Sequence, residues 1–275
     1  LRENYDEIIE IEVNENNFVI ASVITEDSKV KKIYINPING KNIGSVKKQK
    51  PFFAFVTNLH RSLFLKTIGR VFVGIISLLL CFIGVTGIFL LAKRQGGFIK
   101  FFKKIQDKNF NQRYHVNIGR WLVVPILIIS STGVFLSIEK LSLIPKNYLN
   151  YNWITKDNDS KQNQSISSFF ETISLNEVRT LSFPFSKSEE DYFELSLKDR
   201  ILIVDQFSGQ VTKESYYPFI KILTRWNLVL HTGKGNILWS IILFIASSSI
   251  LFFMYTGFSI SLKRLFIGKN ITKQL

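Results

Sequence analysis

The segment VFVGIISLLLCFIGVTGIFLLA, Val71–Ala92, contains no charged residue over its 22 positions. An α-helix needs about 20 apolar residues to cross the hydrocarbon core of a bilayer. Two further uncharged runs follow along the chain, Trp121–Ile138 and Asn236–Leu262. Because all three runs are apolar on every side and do not alternate, they predict helices and not barrel strands. The sequence therefore predicts an integral membrane protein with three transmembrane helices.

The net charge of +14 is concentrated in short segments beside the apolar runs. The connection 93–120 carries eight basic residues and one acidic residue, and the tail 263–275 carries four basic residues and no acidic one. Short basic loops remain in the cytoplasm, where they can contact anionic lipid headgroups. The long connection after the second run mixes both signs, so we expect residues 1–50 and 141–230 to lie outside the cytoplasm. The charge thus indicates membrane topology and contact with lipids, and not a nucleic-acid partner.

The two halves of the chain repeat the same order of features. In each half a β-rich stretch leads to a turn glycine, and a histidine follows 20 residues later in the first half and 22 in the second. A Thr-Gly pair then lies 26 or 25 residues beyond that histidine. Spacings that agree this closely predict an internal duplication.

Every apolar run contains one Thr-Gly pair: Thr86–Gly87, Thr132–Gly133 and Thr256–Gly257. Small residues let neighbouring helices approach closely, and a threonine hydroxyl can bond back to its own helix. We expect close helix packing at these pairs, and direct contact with a flat cofactor is the alternative.

The chain has three histidines, and each precedes one apolar run: His60, His115 and His231. A neutral imidazole is a common metal ligand at physiological pH. Because a histidine stands before each of the three runs, the pattern favours a metal or haem site in a helical bundle. The alternative is that the histidines lie at the membrane interface and bind no metal. The expected topology puts His60 and His231 near the outer face, where they form a self-consistent ligand pair, and His115 near the inner face.

These residues resemble the motifs of a known family, the PepSY-associated transmembrane-helix proteins. The matching motifs are Leu59–His60–Arg61, His115-x-x-x-Gly119–Arg120, Leu230–His231–Thr232–Gly233 and the Thr-Gly pairs, and the segments ending in Asn39–Gly40 and Ser208–Gly209 resemble PepSY modules. The resemblance implies an α-helical membrane protein with small α+β extracytoplasmic PepSY-like modules in the bacterial inner (plasma) membrane. It also implies that the three spans belong to a four-helix core. The missing span, expected upstream with its own histidine, would supply the partner of His115.

The predicted domains follow from the apolar runs and the repeat. They are a first, partial PepSY-like module (1–50), an amphipathic segment with the first span (51–92), a basic cytoplasmic loop (93–120), the second span (121–139), a second PepSY-like module (140–225), the third span (226–262) and a cytoplasmic tail (263–275).

By the same resemblance, the family includes ferric-siderophore reductases that hold two haems and relatives linked to flavoproteins. The implied function is electron transfer outward across the membrane through haem b, with up to two haems, from a cytoplasmic flavoprotein or other donor to a ferric siderophore. If the chain is an enzyme, it is an oxidoreductase of this kind. Candidate partners of the haem propionates, with lipid headgroup contact as the alternative role, are Arg61, Arg70, Arg120 and Arg225.

The alternative function is non-catalytic, a membrane-anchored PepSY protein that regulates or inhibits extracytoplasmic peptidases. An anchor has no need of three histidines at repeated places, which favours the haem hypothesis. A zinc peptidase or transporter is disfavoured, because the sequence has no His-Glu-x-x-His motif and no Asp or Glu within the three apolar runs.

Overall fold

A computed structural model describes residues 5–103, 109–145, 150–155, 166–171 and 173–272. The chain divides into two compact units. The sheet unit consists of Leu1–Pro51 with Pro145–Ile222, and the helical unit consists of Phe52–Ile144 with Leu223–Leu275.

The sheet unit contains one nine-stranded sheet in the order β4-β3-β2-β1-β6-β7-β8-β9-β5, with antiparallel pairing throughout. The strands are β1 (Glu7–Val13), β2 (Val19–Ile24), β3 (Val30–Ile35), β4 (Asn42–Ser45), β5 (Ile154–Thr155), β6 (Val178–Ser182), β7 (Tyr192–Leu197), β8 (Arg200–Asp205) and β9 (Val211–Tyr216). A short helix, α4 (Ile166–Glu171), precedes β6. The sheet joins the two segments that the sequence predicts as separate modules, because β1 pairs with β6.

The turns β3–β4 and β8–β9 have the same construction, as the predicted duplication requires. Gly40 and Gly209 have φ of 66° and 69°, a left-handed conformation that favours glycine. Their amide groups donate to the carbonyls of Asn36 and Asp205, at 2.8 and 3.0 Å. The two four-stranded meanders, β1–β4 and β6–β9, thus share the connectivity of their strands and the form of their last turn.

The two hydrophobic clusters of the sheet unit take alternate residues of their strands, and the central strands β2 and β8 also bury residues of the opposite face, among them Ile20, Ile201 and Ile203. In β7, Phe193, Leu195 and Leu197 are buried and the residues between them are more exposed. One buried cluster lies in the first meander (Val13, Val19, Ala21, Val23, Ile33 and Ile35) and a second in the other (Phe193, Leu195, Leu197, Leu202 and Val204).

The helical unit contains three helices that are long and apolar enough to cross a membrane, among the residues the structure describes: Lys66–Gln95, Phe110–Lys140 and Ile237–Lys263. They correspond to α2 (Lys66–Gln95), α3 (Phe110–Lys140) and α6 (Ile237–Thr272). A 3-10 turn, Phe98–Lys100, follows α2. The amphipathic helices α1 (Pro51–Ser62) and α5 (Phe219–Thr232) precede α2 and α6.

Helix α3 is central, since it packs against both α2 and α6. Glycines on α2 allow the close approach of α3: a Cβ at Gly74 would lie 2.9 Å from Cβ of Ser137, and one at Gly84 would lie 2.8 Å from Cδ2 of Leu127. The Cys81 thiol donates to the Ser130 hydroxyl at 3.2 Å in the same contact. Small residues thus set the spacing of α2 and α3, as expected for helices in lipid.

Helix α3 begins at Phe110, before the apolar run that predicts the second span. The Asn109 side chain caps it by accepting from the Asn111 amide. The first turns of α3 are polar and partly buried. They belong to the helix but not to the apolar run, which begins at Trp121. His115 consequently lies within a helix.

Candidate functional site

His60 lies in the last turn of α1, and its position depends on the turn that connects α1 to α2. Leu63 and Phe64 have φ of 48° and 61°, so the chain reverses through a left-handed stretch. The start of α2 packs directly on the end of α1. A Cβ at Gly69 would overlap the Ser62 carbonyl group, with its carbon only 2.5 Å away. Only glycine therefore fits at this contact.

His231 has the corresponding position at the end of α5, before α6. The turn between these helices uses Gly233, whose φ is 73° and where a Cβ would lie 2.6 Å from the Ser240 hydroxyl oxygen. The Trp239 indole N–H donates to the Leu230 carbonyl at 2.9 Å. These contacts fix the end of α5 on the first turn of α6.

The structure brings His60 and His231 together, with ring centres 6.1 Å apart and ring planes inclined by 29°. Two imidazoles that bind one iron at about 2 Å, with each ring centre about 1.1 Å behind its nitrogen, would have ring centres about 6.2 Å apart. The observed distance of 6.1 Å between the ring centres matches this value, and it makes the two rings a candidate ligand pair. The donor set, two imidazoles, also suits haem iron.

Contacts with α3 position His231 and the end of α5. The His231 Nδ1 lies 3.0 Å from Oγ1 of Thr132. The buried Asn227, one helical turn earlier in α5, donates from Nδ2 to the Thr132 carbonyl at 3.1 Å. A Cβ at Gly133 would lie 3.4 Å from Cε1 of His231 and 3.2 Å from the Ser77 hydroxyl oxygen. The Thr-Gly pair of α3 therefore receives the histidine ring of α5.

His115 is held in the same way by the Thr-Gly pair of α6. Its Nδ1 lies 2.8 Å from Oγ1 of Thr256, a fully buried residue. A Cβ at Gly257 would lie 3.6 Å from Cε1 of His115. The His115 ring also meets Phe253 edge to face, with centres 5.2 Å apart.

The two threonine–histidine contacts mark two levels along α3. Thr132 follows His115 by 17 residues, which is about 25 Å of helix. This separation is close to the thickness of a hydrocarbon core, about 30 Å. His60 and His231 lie at one level and His115 at the other, where no second histidine of the described chain stands opposite it.

The three Thr-Gly pairs differ in what they contact. Each threonine hydroxyl bonds back to its own helix, as expected: Thr86 to Phe82, Thr132 to Ile128 and Thr256 to Phe252. Gly133 and Gly257 face histidine rings, whereas a Cβ at Gly87 would meet nothing within 4 Å. Two of the three glycines thus make room for imidazoles, a contact that the expectation of helix packing did not include.

The four candidate arginines lie in different surroundings. Arg61 and Arg70 are exposed and Arg225 is half-buried. Arg120 is buried, and its guanidinium donates to the Lys103 carbonyl and to the Asn117 side-chain oxygen. Its Nε has no hydrogen-bond partner in the described part of the chain. Arg120 therefore retains one buried donor, and Arg61 and Arg70 present theirs at the surface.

Burial lowers the pKa of His231, and the nearby His60 and Arg61 lower it further, which outweighs the opposite effect of a hydrogen bond to the Ile129 backbone. The imidazole is therefore neutral at pH 7, the form that can donate a nitrogen lone pair to a metal. Within the described ranges, no group of three or more His, Cys, Asp and Glu side chains could hold a metal ion. At the His60–His231 level, the nitrogen donors that the structure brings together are thus the two imidazoles.

Asn227 is a site residue that the sequence analysis missed. The available signal was its spacing, because a polar residue four positions before His231 lies on the same face of an amphipathic helix. The contacts of Thr132 and Thr256 with histidines were missed too, although both threonines belong to pairs that the sequence singled out.

The model of the family described as PepSY-associated TM region matches residues 4–264. The chain therefore belongs to this family, which confirms the resemblance seen in its motifs. A search of the curated proteins finds no match to the chain, and neither does a search of the solved structures.

Proposed function

From its membership of the PepSY-associated TM-region family, we propose that this multi-pass membrane protein binds haem and carries electrons outward across the bacterial inner membrane. The observation that carries the proposal is the spacing of His60 and His231, whose ring centres lie 6.1 Å apart. These two imidazoles would hold the iron of one haem b. The bound haem would supply one-electron chemistry at its iron.

The protein contributes ligands, orientation and burial at that site. Thr132 and Asn227 fix His231 on α3, and the turn at Gly233 holds the end of α5 in place. Burial keeps the His231 imidazole neutral. Exposed cations near the pair, among them Arg61, are available for the negatively charged propionates.

A second haem would use His115 at the other level, with a fourth histidine from a further span that completes a four-helix core. This part of the proposal is supported by the matching contacts of His115 and His231 with Thr-Gly pairs. The two levels lie about 25 Å apart along α3, so two sites would divide the path across the membrane into shorter steps.

The direction of transfer follows from the charge pattern. The basic connection 93–120 favours the cytoplasmic side for the His115 level. The His60–His231 level would then lie toward the outer side of the membrane, and residues 1–50 and 141–230 would lie outside the cytoplasm. In each turnover a cytoplasmic flavoprotein or other donor loses one electron, and ferric iron held by a siderophore gains it and becomes ferrous.

Purified protein in sealed phospholipid vesicles tests the proposal. Ferrioxamine and a coloured ferrous-iron chelator are trapped inside, and dithionite, which does not cross the bilayer readily, is added outside. We expect ferrous iron to form in vesicles with the wild-type protein and to fall at least tenfold with His231→Ala. Vesicles that contain the wild-type protein and form no more ferrous iron than empty ones would contradict the proposal and favour a membrane-anchored regulator of peptidases.

A further inference from the structure

Thr132 and Thr256 make the same two contacts, one to their own helix and one to a histidine. Each hydroxyl lies near a carbonyl of the preceding turn, at 2.6 Å from Ile128 O and at 2.8 Å from Phe252 O. A threonine hydroxyl has a single hydrogen, and these short contacts use it. What each oxygen offers to the imidazole is therefore a lone pair.

Because the hydroxyl oxygen can only accept, the facing imidazole nitrogen must donate. Nδ1 of His231 lies 3.0 Å from Thr132 Oγ1, and Nδ1 of His115 lies 2.8 Å from Thr256 Oγ1. In a neutral imidazole one nitrogen carries the proton and the other carries the lone pair. Protonation at Nδ1 leaves Nε2 as the nitrogen that can bind a metal.

We propose that Thr132 and Thr256 are positioning residues, which fix the Nδ1–H tautomer and the ring direction of His231 and His115 so that each presents an unprotonated Nε2. This inference rests on the proposed haem-binding function and names the groups that orient its ligands. Metal-bound histidines usually donate their other ring N–H to a protein oxygen, and loss of that partner costs about 10–100-fold in metal affinity.

The surroundings of the two threonines make the hydrogen bonds effective. Thr132 and Thr256 are 7% and 0% exposed, so water cannot replace the hydroxyl oxygen. The glycine that follows each threonine leaves space for the ring edge at Cε1, 3.4 Å from a Cβ at Gly133 and 3.6 Å from one at Gly257. The Thr-Gly pair therefore combines an acceptor for Nδ1–H with room for the ring.

The Thr86–Gly87 pair provides the matched control. Its hydroxyl makes the same bond to its own helix, to Phe82 O at 2.7 Å. Thr86 is exposed, and in the described part of the chain it contacts none of the three histidines. Thr86→Val therefore removes the same backbone bond without touching His231.

The test compares Thr132→Val, Thr132→Ser and Thr86→Val with the wild-type full chain in detergent. In haem-free protein labelled with ¹⁵N-histidine, NMR should show His231 protonated at Nδ1 in the wild type and in the Ser and Thr86 variants. In Thr132→Val, which keeps the shape and loses the acceptor, that signature should be lost. Haem titration should give an affinity about 10–100-fold lower for Thr132→Val, with recovery in Thr132→Ser and a shifted midpoint potential for the remaining haem.

Two results distinguish this inference from the proposed function. If Thr132→Val keeps both the wild-type tautomer and the wild-type haem affinity, the positioning role is refuted while haem binding stands. If wild-type protein binds no haem, the proposed function fails, and the tautomer of His231 in the haem-free variants still decides whether Thr132 orients the ring. A wild-type His231 protonated at Nε2 would overturn the inference in either case.

Discussion

Gly69→Ala should separate His60 from His231 without changing either histidine. A Cβ at this position would lie 2.5 Å from the carbonyl carbon of Ser62 and would overlap its oxygen. Ordinary contact needs more than 3 Å, so the end of α1 must move by an amount on the order of 1 Å. His60 lies two residues before Ser62. Metal–ligand distances tolerate only about 0.2 Å, so a haem bound as proposed at the His60–His231 pair should lose its His60 ligand.

The matched control is Gly87→Ala, in the same helix, where a Cβ would meet nothing within 4 Å. Alanine is favoured over glycine inside a helix by about 1 kcal/mol, so this variant should keep its haem and be slightly more stable. The assay is the haem-to-protein ratio and the reduced absorption spectrum of each purified protein. Full haem content and a wild-type spectrum in Gly69→Ala would refute the argument that the α1–α2 contact places His60.

Three further predictions concern the groups that support the two units. Asn227→Ala removes the buried hydrogen bond to the Thr132 carbonyl; we expect a loss of about 1–2 kcal/mol of stability and lower outer-haem affinity, measured by thermal melting and haem titration. Burial alone would raise the pKa of Asp205, but hydrogen bonds from the Ser208 amide and hydroxyl and a nearby amide outweigh it and lower the pKa. The ionised carboxylate therefore stabilises the sheet unit above a pH of about 4 and loses this effect as the pH falls through the folded-state pKa. Asp205→Asn should accordingly lower the melting temperature at pH 7 and lower it less at pH 3, and an equal loss at both values would contradict the assignment. Leu195→Ala, in the core of β7 at 1% exposure, should destabilise the sheet unit by about 2–5 kcal/mol with an unchanged haem spectrum below its melting transition.

The sequence predicted the features that depend on local pattern. The three spans follow from the length of the apolar runs, and the β3–β4 and β8–β9 turns follow from spacings to Gly40 and Gly209. The structure also brings together His60 and His231, which the topology expected from the charge pattern places on the same side of the membrane. Their role as haem ligands stays a prediction.

The sequence could not predict features that depend on contacts between distant segments. The pairing of β1 with β6, as at Ile11 and Leu181, joins strands about 170 residues apart, and strand pattern alone does not select a distant partner. Likewise, a polar residue on an amphipathic helix, such as Asn227, does not reveal which carbonyl it will meet. The first turns of α3 are polar and give no apolar signal, so the sequence predicts a loop at 93–120 where the structure has the start of the helix that holds His115.

The most direct test of haem ligation is the absorption spectrum of the full-length protein purified in detergent, oxidised and dithionite-reduced, beside His60→Ala and His231→Ala. We predict a sharp reduced α-band in the wild type that each substitution weakens. Thr86→Val, which leaves the His60–His231 pair intact, should retain the outer-site component of this band. A wild-type protein without haem absorbance, or a band that neither histidine substitution changes, would contradict the assignment of His60 and His231 as the outer haem ligands.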